Sequence, residues 1–148
     1  MNSTAGDWLD ELRVTYPELD LFPPAAAESL VEVEKTVGQL PDELRDLLRR
    51  SNGLVCRSFR LYSAFDREKP KKTWESLQRA NDPAKTHALG GDRELLGRFL
   101  VFADIGGGHA LFERSSGSIW FEEPPDDQVR QTDLGLREFV ETLVQNAE

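Results

Sequence analysis

Cysteine is almost missing from this chain of 148 residues, where Cys56 stands alone. A lone thiol excludes an intrachain disulfide, and no Cys/His spacing that builds a zinc site is present. Such usage suits a reducing compartment. Histidine is nearly as scarce, with only His87 and His109, and neither a His-x-x-x-His nor a His-Glu-x-x-His arrangement occurs. No metal and no cofactor is expected. Cations are outnumbered as well: 18 Lys and Arg face 27 Asp and Glu, for a net charge of −9. That deficit argues against nucleic acid as the principal ligand, because neutralising phosphates needs clustered Lys and Arg. It leaves room for a basic protein partner, which an acidic surface steers efficiently. No apolar run reaches the roughly 20 residues that span a bilayer, and the opening MNSTAGDWLDEL lacks the basic and apolar regions of a signal peptide. A cytoplasmic protein without membrane contact is the expectation.

What is present suits one globular core. Hydrophobic residues make up 39% and charged residues 30%, and a chain of this length buries roughly 70% of its unfolded surface. A single domain over 1–148 is expected, with 1–23 as an N-terminal extension helix centred on Asp7–Val14. Leu30, Val33 and Val37 then recur at helical spacing, and Gly38 suits the helix end. Pro41 opens a third helix, in which Asp42 and Glu43 sit at the positive end of the dipole and Arg49-Arg50 at the negative end. Asn52-Gly53 stops it.

Beyond Gly53 the period changes. Leu54–Tyr62 reads as one strand, Asp66–Lys72 as a charged loop, and Thr73–Ala80 as a short helix with Trp74 and Leu77 on one side. Asn81–Asp92 shows no clear period, with turn residues at Asp82-Pro83 and Gly90-Gly91, and the stretch from Asp66 to Arg98 carries no motif. Phe99–Ile105, His109–Arg114, Ser118–Glu122 and Gln128–Thr132 read as strands, with a turn at Pro124-Pro125-Asp126-Asp127. Asp133 caps a closing helix through Leu136, Phe139, Val140 and Leu143. Short links between adjacent strands imply antiparallel pairing. The class is therefore α+β: N-terminal helices, an antiparallel meander of about four to six strands and a C-terminal helix.

The sharpest chemical candidate is Val101-Phe-Ala-Asp-Ile-Gly-Gly-Gly-His109. A phosphate-binding loop needs a Lys and Ser/Thr after its last glycine, or a helix to receive the anion. Here His109-Ala-Leu-Phe-Glu113 alternates like a strand, so Gly106-Gly107-Gly108 reads as a strand-to-strand turn. Asp104 reads as a side chain accepting hydrogen bonds from turn amides. The alternative, an acid/base pair of Asp104 and His109 in a small hydrolase, is the weaker reading, and no catalytic residue is assigned. From Trp120 onward, eight carboxylates (Glu122, Glu123, Asp126, Asp127, Asp133, Glu138, Glu141 and Glu148) face Arg130 and Arg137. Such bias is ordinarily a solvated surface. As a binding patch it nominates Trp120, Glu122, Glu123, Asp126 and Asp127, since tryptophan is enriched in interface hot spots.

Three blocks in order resemble a known family. Leu30-x-x-Val-Glu-x-x-Val-Gly-x-Leu-Pro-Asp-Glu-Leu-Arg-Asp-Leu-Leu-Arg-Arg-Ser-Asn-Gly53 is similar to the N-terminal signature of the SUKH superfamily, the Smi/Knr-like domains. Phe99–Phe112 resembles that family's strand, glycine turn and strand. Leu136-Arg-Glu-Phe-Val-Glu-Thr-Leu143 resembles its closing helix. The resemblance implies a non-enzymatic protein-binding domain. Many bacterial members are immunity proteins that neutralise a cognate toxin, often a nuclease or deaminase, while fungal members act as regulatory hubs. It also implies structural duties for Glu34, Leu40, Pro41, Asn52, Gly53, Gly107 and Gly108.

Overall fold

A computed structural model of the chain describes residues 5–123 and 128–146. The order of elements is α1 (Ala5–Thr15), β1 (Asp20–Leu21), α2 (Ala27–Val37), α3 (Asp42–Arg50), β2 (Leu54–Cys56), β3 (Phe59–Leu61) and α4 (Leu77–Ala80). A 3-10 turn at Ala88–Gly91 and α5 (Arg93–Arg98) lead into β4 (Phe99–Ile105), β5 (His109–Glu113), β6 (Ile119–Glu123), β7 (Gln128–Gln131) and α6 (Leu136–Asn146). The strands form one sheet in the order β1-β2-β3-β4-β5-β6-β7, and every neighbouring pair is antiparallel. The α+β class holds, with seven strands instead of four to six.

The two extra strands have local causes. Leu54–Tyr62 is not one strand but a hairpin: Cys56 pairs with Phe59, and Arg57-Ser58 makes the turn, with Arg57 in the left-handed region at φ 54. Alternating apolar residues on both sides of a two-residue turn imitate one uninterrupted strand when the turn lacks glycine. The other addition, β1, is a two-residue strand set against Leu54 and Val55.

One face of the sheet carries Phe102 and Phe112, whose ring centroids are 4.4 Å apart, and Phe139 of α6 closes on Phe102 at 6.0 Å. The α1 helix touches both α3 and α6, burying Trp8, Leu9 and Leu12 in the same core as Leu44, Leu47 and Leu48 of α3. On the other face, Arg98 at the end of α5 lies over the rings of Phe99 and Trp120. Helix α6 starts later than Asp133 suggested: the Leu136 N–H donates to Glu43 Oε2 of α3 at 2.9 Å. A carboxylate from another helix thus takes the place of a local cap. Among the described residues no helix is long and apolar enough to cross a membrane.

Two asparagines lock the meander through paired bonds. Asn52 accepts from the Ala64 N–H and donates to the Ala64 carbonyl, at 2.8 and 2.9 Å. Asn81 does the same to Val101, at 2.8 Å for both bonds, beside the register shift between Val101 and Ala103. Thr73–Ala80 forms a helix only from Leu77, and Trp74 stays outside it, 55% exposed.

Candidate functional site

The glycine triplet shapes the candidate site. Gly106 and Gly107 have φ of +83 and +117, the left-handed values that a turn between β4 and β5 demands of them. Asp104 Oδ1 accepts the Gly106 N–H at 2.9 Å, as the sequence suggested. Gly108 is needed for another reason: a Cβ there would overlap the Glu122 carbonyl oxygen, so β5 and β6 close together only over glycine.

Past the turn, Asp104, His109 and Glu122 stand in register across β4, β5 and β6. His109 Nδ1 lies 2.9 Å from Glu122 Oε1, and Glu122 Oε2 accepts the Leu89 N–H at 2.8 Å. Leu89 is held in the left-handed region at φ 54. Glu122 is only 4% exposed, so it does not belong to the acidic surface on which the sequence placed it. A buried carboxylate needs partners for both oxygens, and it finds one on β5 and one in the 3-10 turn. Counting carboxylates along a chain cannot distinguish this group from its exposed neighbour Glu123. Among the described residues no three His, Cys, Asp or Glu side chains form a group able to hold a metal ion.

Trp120, two residues back on β6, is half-buried. Its ring meets Phe99 edge-on at 5.4 Å and lies beneath Arg98, 5.3 Å from its centroid. Arg98 in turn is paired with Glu113 at 2.8 Å. The hot-spot candidate is thus one ring of a packed cluster and offers a partner only its uncovered part. Glu123 is exposed at the end of β6, while Asp126 and Asp127 lie outside the described residues. Further along, Asp133 and Glu138 are exposed, and Arg137 is tied to Glu141 at 2.7 Å.

The N-terminal signature is a clamp. Glu34 Oε2 accepts both the Leu40 N–H and Arg45 Nη2, each at 2.9 Å, and Arg45 Nη2 also donates to the Leu40 carbonyl at 3.1 Å. The Arg45 hydrogen bond is the main reason the Glu34 carboxyl is held below the usual glutamate range; the Leu40 N–H adds to it and burial opposes it. Pro41, at φ −57, turns the chain into α3. Gly53, at φ +96, sits where a Cβ would meet Ser63 Oγ and the Leu61 carbonyl. Beside the clamp opens a cavity of about 310 Å³ bordered by Gln39, Asp42 and Arg114. The Arg114 guanidinium is turned to the carbonyls of Val37 and Leu96. Cys56 is buried, and burial pushes its thiol up, away from the reactive thiolate.

Set beside known proteins, this arrangement of clamp, glycine turn and closing helix has a family. The chain belongs to the SMI1 / KNR4 family (SUKH-1), whose model matches residues 24–142. That membership fits a protein-interaction module of the immunity or Smi/Knr type. No curated protein matches the chain.

Proposed function

We propose that this protein is a non-enzymatic immunity protein, which binds a cognate toxin stoichiometrically in the cytoplasm and blocks its active site or substrate groove. The carrying observation is membership of the SUKH-1 family over residues 24–142. The charge of the chain, −9, suits a basic toxin such as a nuclease or deaminase, because complementary charge accelerates encounter and rejects wrong partners. The landing site is the acidic exit of β6, with the exposed Glu123, the following Asp126 and Asp127, and the uncovered part of Trp120. Glu122 contributes by fixing β6, the strand that ends at Glu123.

The competing hydrolase reading needs Asp104 and His109 available for proton transfer. Asp104 instead caps the glycine turn and His109 pairs with Glu122, so the Asp104–His109 pair that this reading invokes is not formed. The deciding experiment is co-expression with the toxin encoded beside this gene, followed by calorimetry. A stoichiometric complex that abolishes toxin activity is expected. If no neighbouring toxin binds, the immunity assignment fails and a regulatory interaction module takes its place.

A further inference from the structure

The stretch that carried no sequence motif builds a closed loop between β3 and α4. Its ends are tied: the Ser63 N–H donates to the Glu75 carbonyl and the Leu77 N–H to the Ser63 carbonyl, at 3.1 and 2.8 Å. Its interior is tied by Thr73, only 4% exposed, whose Oγ1 accepts the Asp66 N–H at 3.0 Å and donates to the Lys69 carbonyl at 2.8 Å. Asp66 Oδ1 takes the Glu68 N–H at 2.9 Å. This is an Ω-loop, a compact surface loop closed at its neck and of a kind that often carries function.

What the loop displays is opposite in sign to the rest of the chain. Over the loop and the α4 turn that follows it, five cations, Arg67, Lys69, Lys71, Lys72 and Arg79, face three carboxylates, Asp66, Glu68 and Glu75, in a protein of net charge −9. All five are exposed, and among the described residues none of them is ion-paired. Between Lys72 and Arg79 in the sequence stands Trp74, 55% exposed, whereas Trp8 is 7% exposed and Trp120 half-buried. Arg79 stacks on the Trp74 ring, 4.9 Å from its centroid. An exposed tryptophan held by a cation and preceded in the sequence by exposed lysines on a tied loop is a preorganised anchor. The strand register sends this loop out from the end of β3 opposite to the glycine turn and the exit of β6.

We propose that this loop is a second docking surface, separate from the acidic one, and that it takes an acidic protein segment. Trp74 covers an apolar or proline residue of that segment while Lys71 and Lys72 pair with flanking carboxylates. Charge complementarity selects the occupant. Glu68 and Glu75 interrupt the cations, so a nucleic acid backbone or an anionic bilayer, both continuous in charge, would meet repulsion inside the patch and from the whole chain. Discrete carboxylates can be placed between them.

Fluorescence anisotropy on the full chain tests this. The probe is a short labelled peptide alternating glutamate with proline and leucine; the comparison ligands are oligo-dT of equal length and phosphatidylserine vesicles. The peptide is expected to bind best, less tightly as salt rises, and about tenfold or more weakly to Trp74→Ala and to the double variant Lys71→Glu/Lys72→Glu. These side chains are exposed, so the variants should keep the wild-type thermal midpoint. Absence of peptide binding, equal binding by the variants, or tighter binding of oligo-dT or vesicles would each overturn the proposal.

Discussion

Glu122 reaches two elements at once, with Oε1 2.9 Å from His109 Nδ1 and Oε2 2.8 Å from the Leu89 backbone nitrogen. The first contact crosses from β6 to β5; the second pins a 3-10 turn whose Leu89, Gly90 and Gly91 all have positive φ. A turn made of left-handed residues has little intrinsic stability and needs an external anchor. The histidine after the glycines therefore has a structural purpose: it orients the carboxylate that holds the turn.

Removing that carboxylate should be expensive. Glu122→Ala leaves a buried backbone donor and a partly buried imidazole without their acceptor, at a cost of about 3 kcal/mol. Glu122→Gln keeps an acceptor for Leu89 and should cost about 1 kcal/mol. Urea unfolding measures both. Equal stability of Glu122→Ala and wild type would show that the turn does not depend on this anchor.

Gly108 and Gly117 separate two reasons for a glycine. Gly117 has φ +74 and open space around its Cβ position, so Gly117→Ala should cost only about 1 kcal/mol of backbone strain. Gly108→Ala would drive a methyl into the Glu122 carbonyl, parting β5 from β6 at the end of their ladder beside the glycine turn. A loss of about 3 kcal/mol or more, or failure to fold, is expected. Comparable thermal midpoints for the two variants would refute this distinction.

Acid should weaken the helical clamp. Arg45 holds the Glu34 carboxyl below its ordinary range, so the folded state resists protonation more than the unfolded chain does. The resulting stabilisation is complete above about pH 5 and is lost as pH falls through the lowered folded value. Glu34→Gln should reduce stability by about 1 kcal/mol at neutral pH, the pair being partly exposed. The gap between the two proteins should close on acidification. A gap that stays constant from neutral to acidic pH would exclude the ionic contribution.

Legibility followed the range of the interactions. The helices were readable because Leu30, Val33 and Val37, then Leu44, Leu47 and Leu48, recur at helical spacing and face one core. The glycine turn was readable because no helix follows it. What escaped was held by partners distant in the chain: Asn52 with Ala64, Asn81 with Val101, Glu43 with Leu136. An asparagine before a glycine signals a stop, but nothing local says that its amide will clasp a backbone twelve residues on. Helix α5 escaped for a local reason instead: Asp92 caps it through Glu94 and Leu95, but it is only six residues long and Gly97 weakens its pattern. For the candidate site, the sequence supplied the acidic tract, and burial then divided Glu122 from Glu123.

That division refines the test of the acidic landing site. Reversing Glu123, Asp126 and Asp127 to lysine while leaving Glu122 intact reverses the charge of this tract and keeps the carboxylate that His109 contacts. Association with the toxin should slow by about tenfold at low salt and lose much of its salt dependence, with dissociation changed less. Stopped-flow mixing over a salt series reads both rates. Net charge alone would also slow encounter, so the control reverses Glu28 and Glu32, both exposed on α2, together with the exposed Glu18. This second variant carries the same total charge as the first. If the two slow association equally, steering belongs to the whole chain and the exit of β6 is not the landing site. A deficit confined to the first variant places the encounter there.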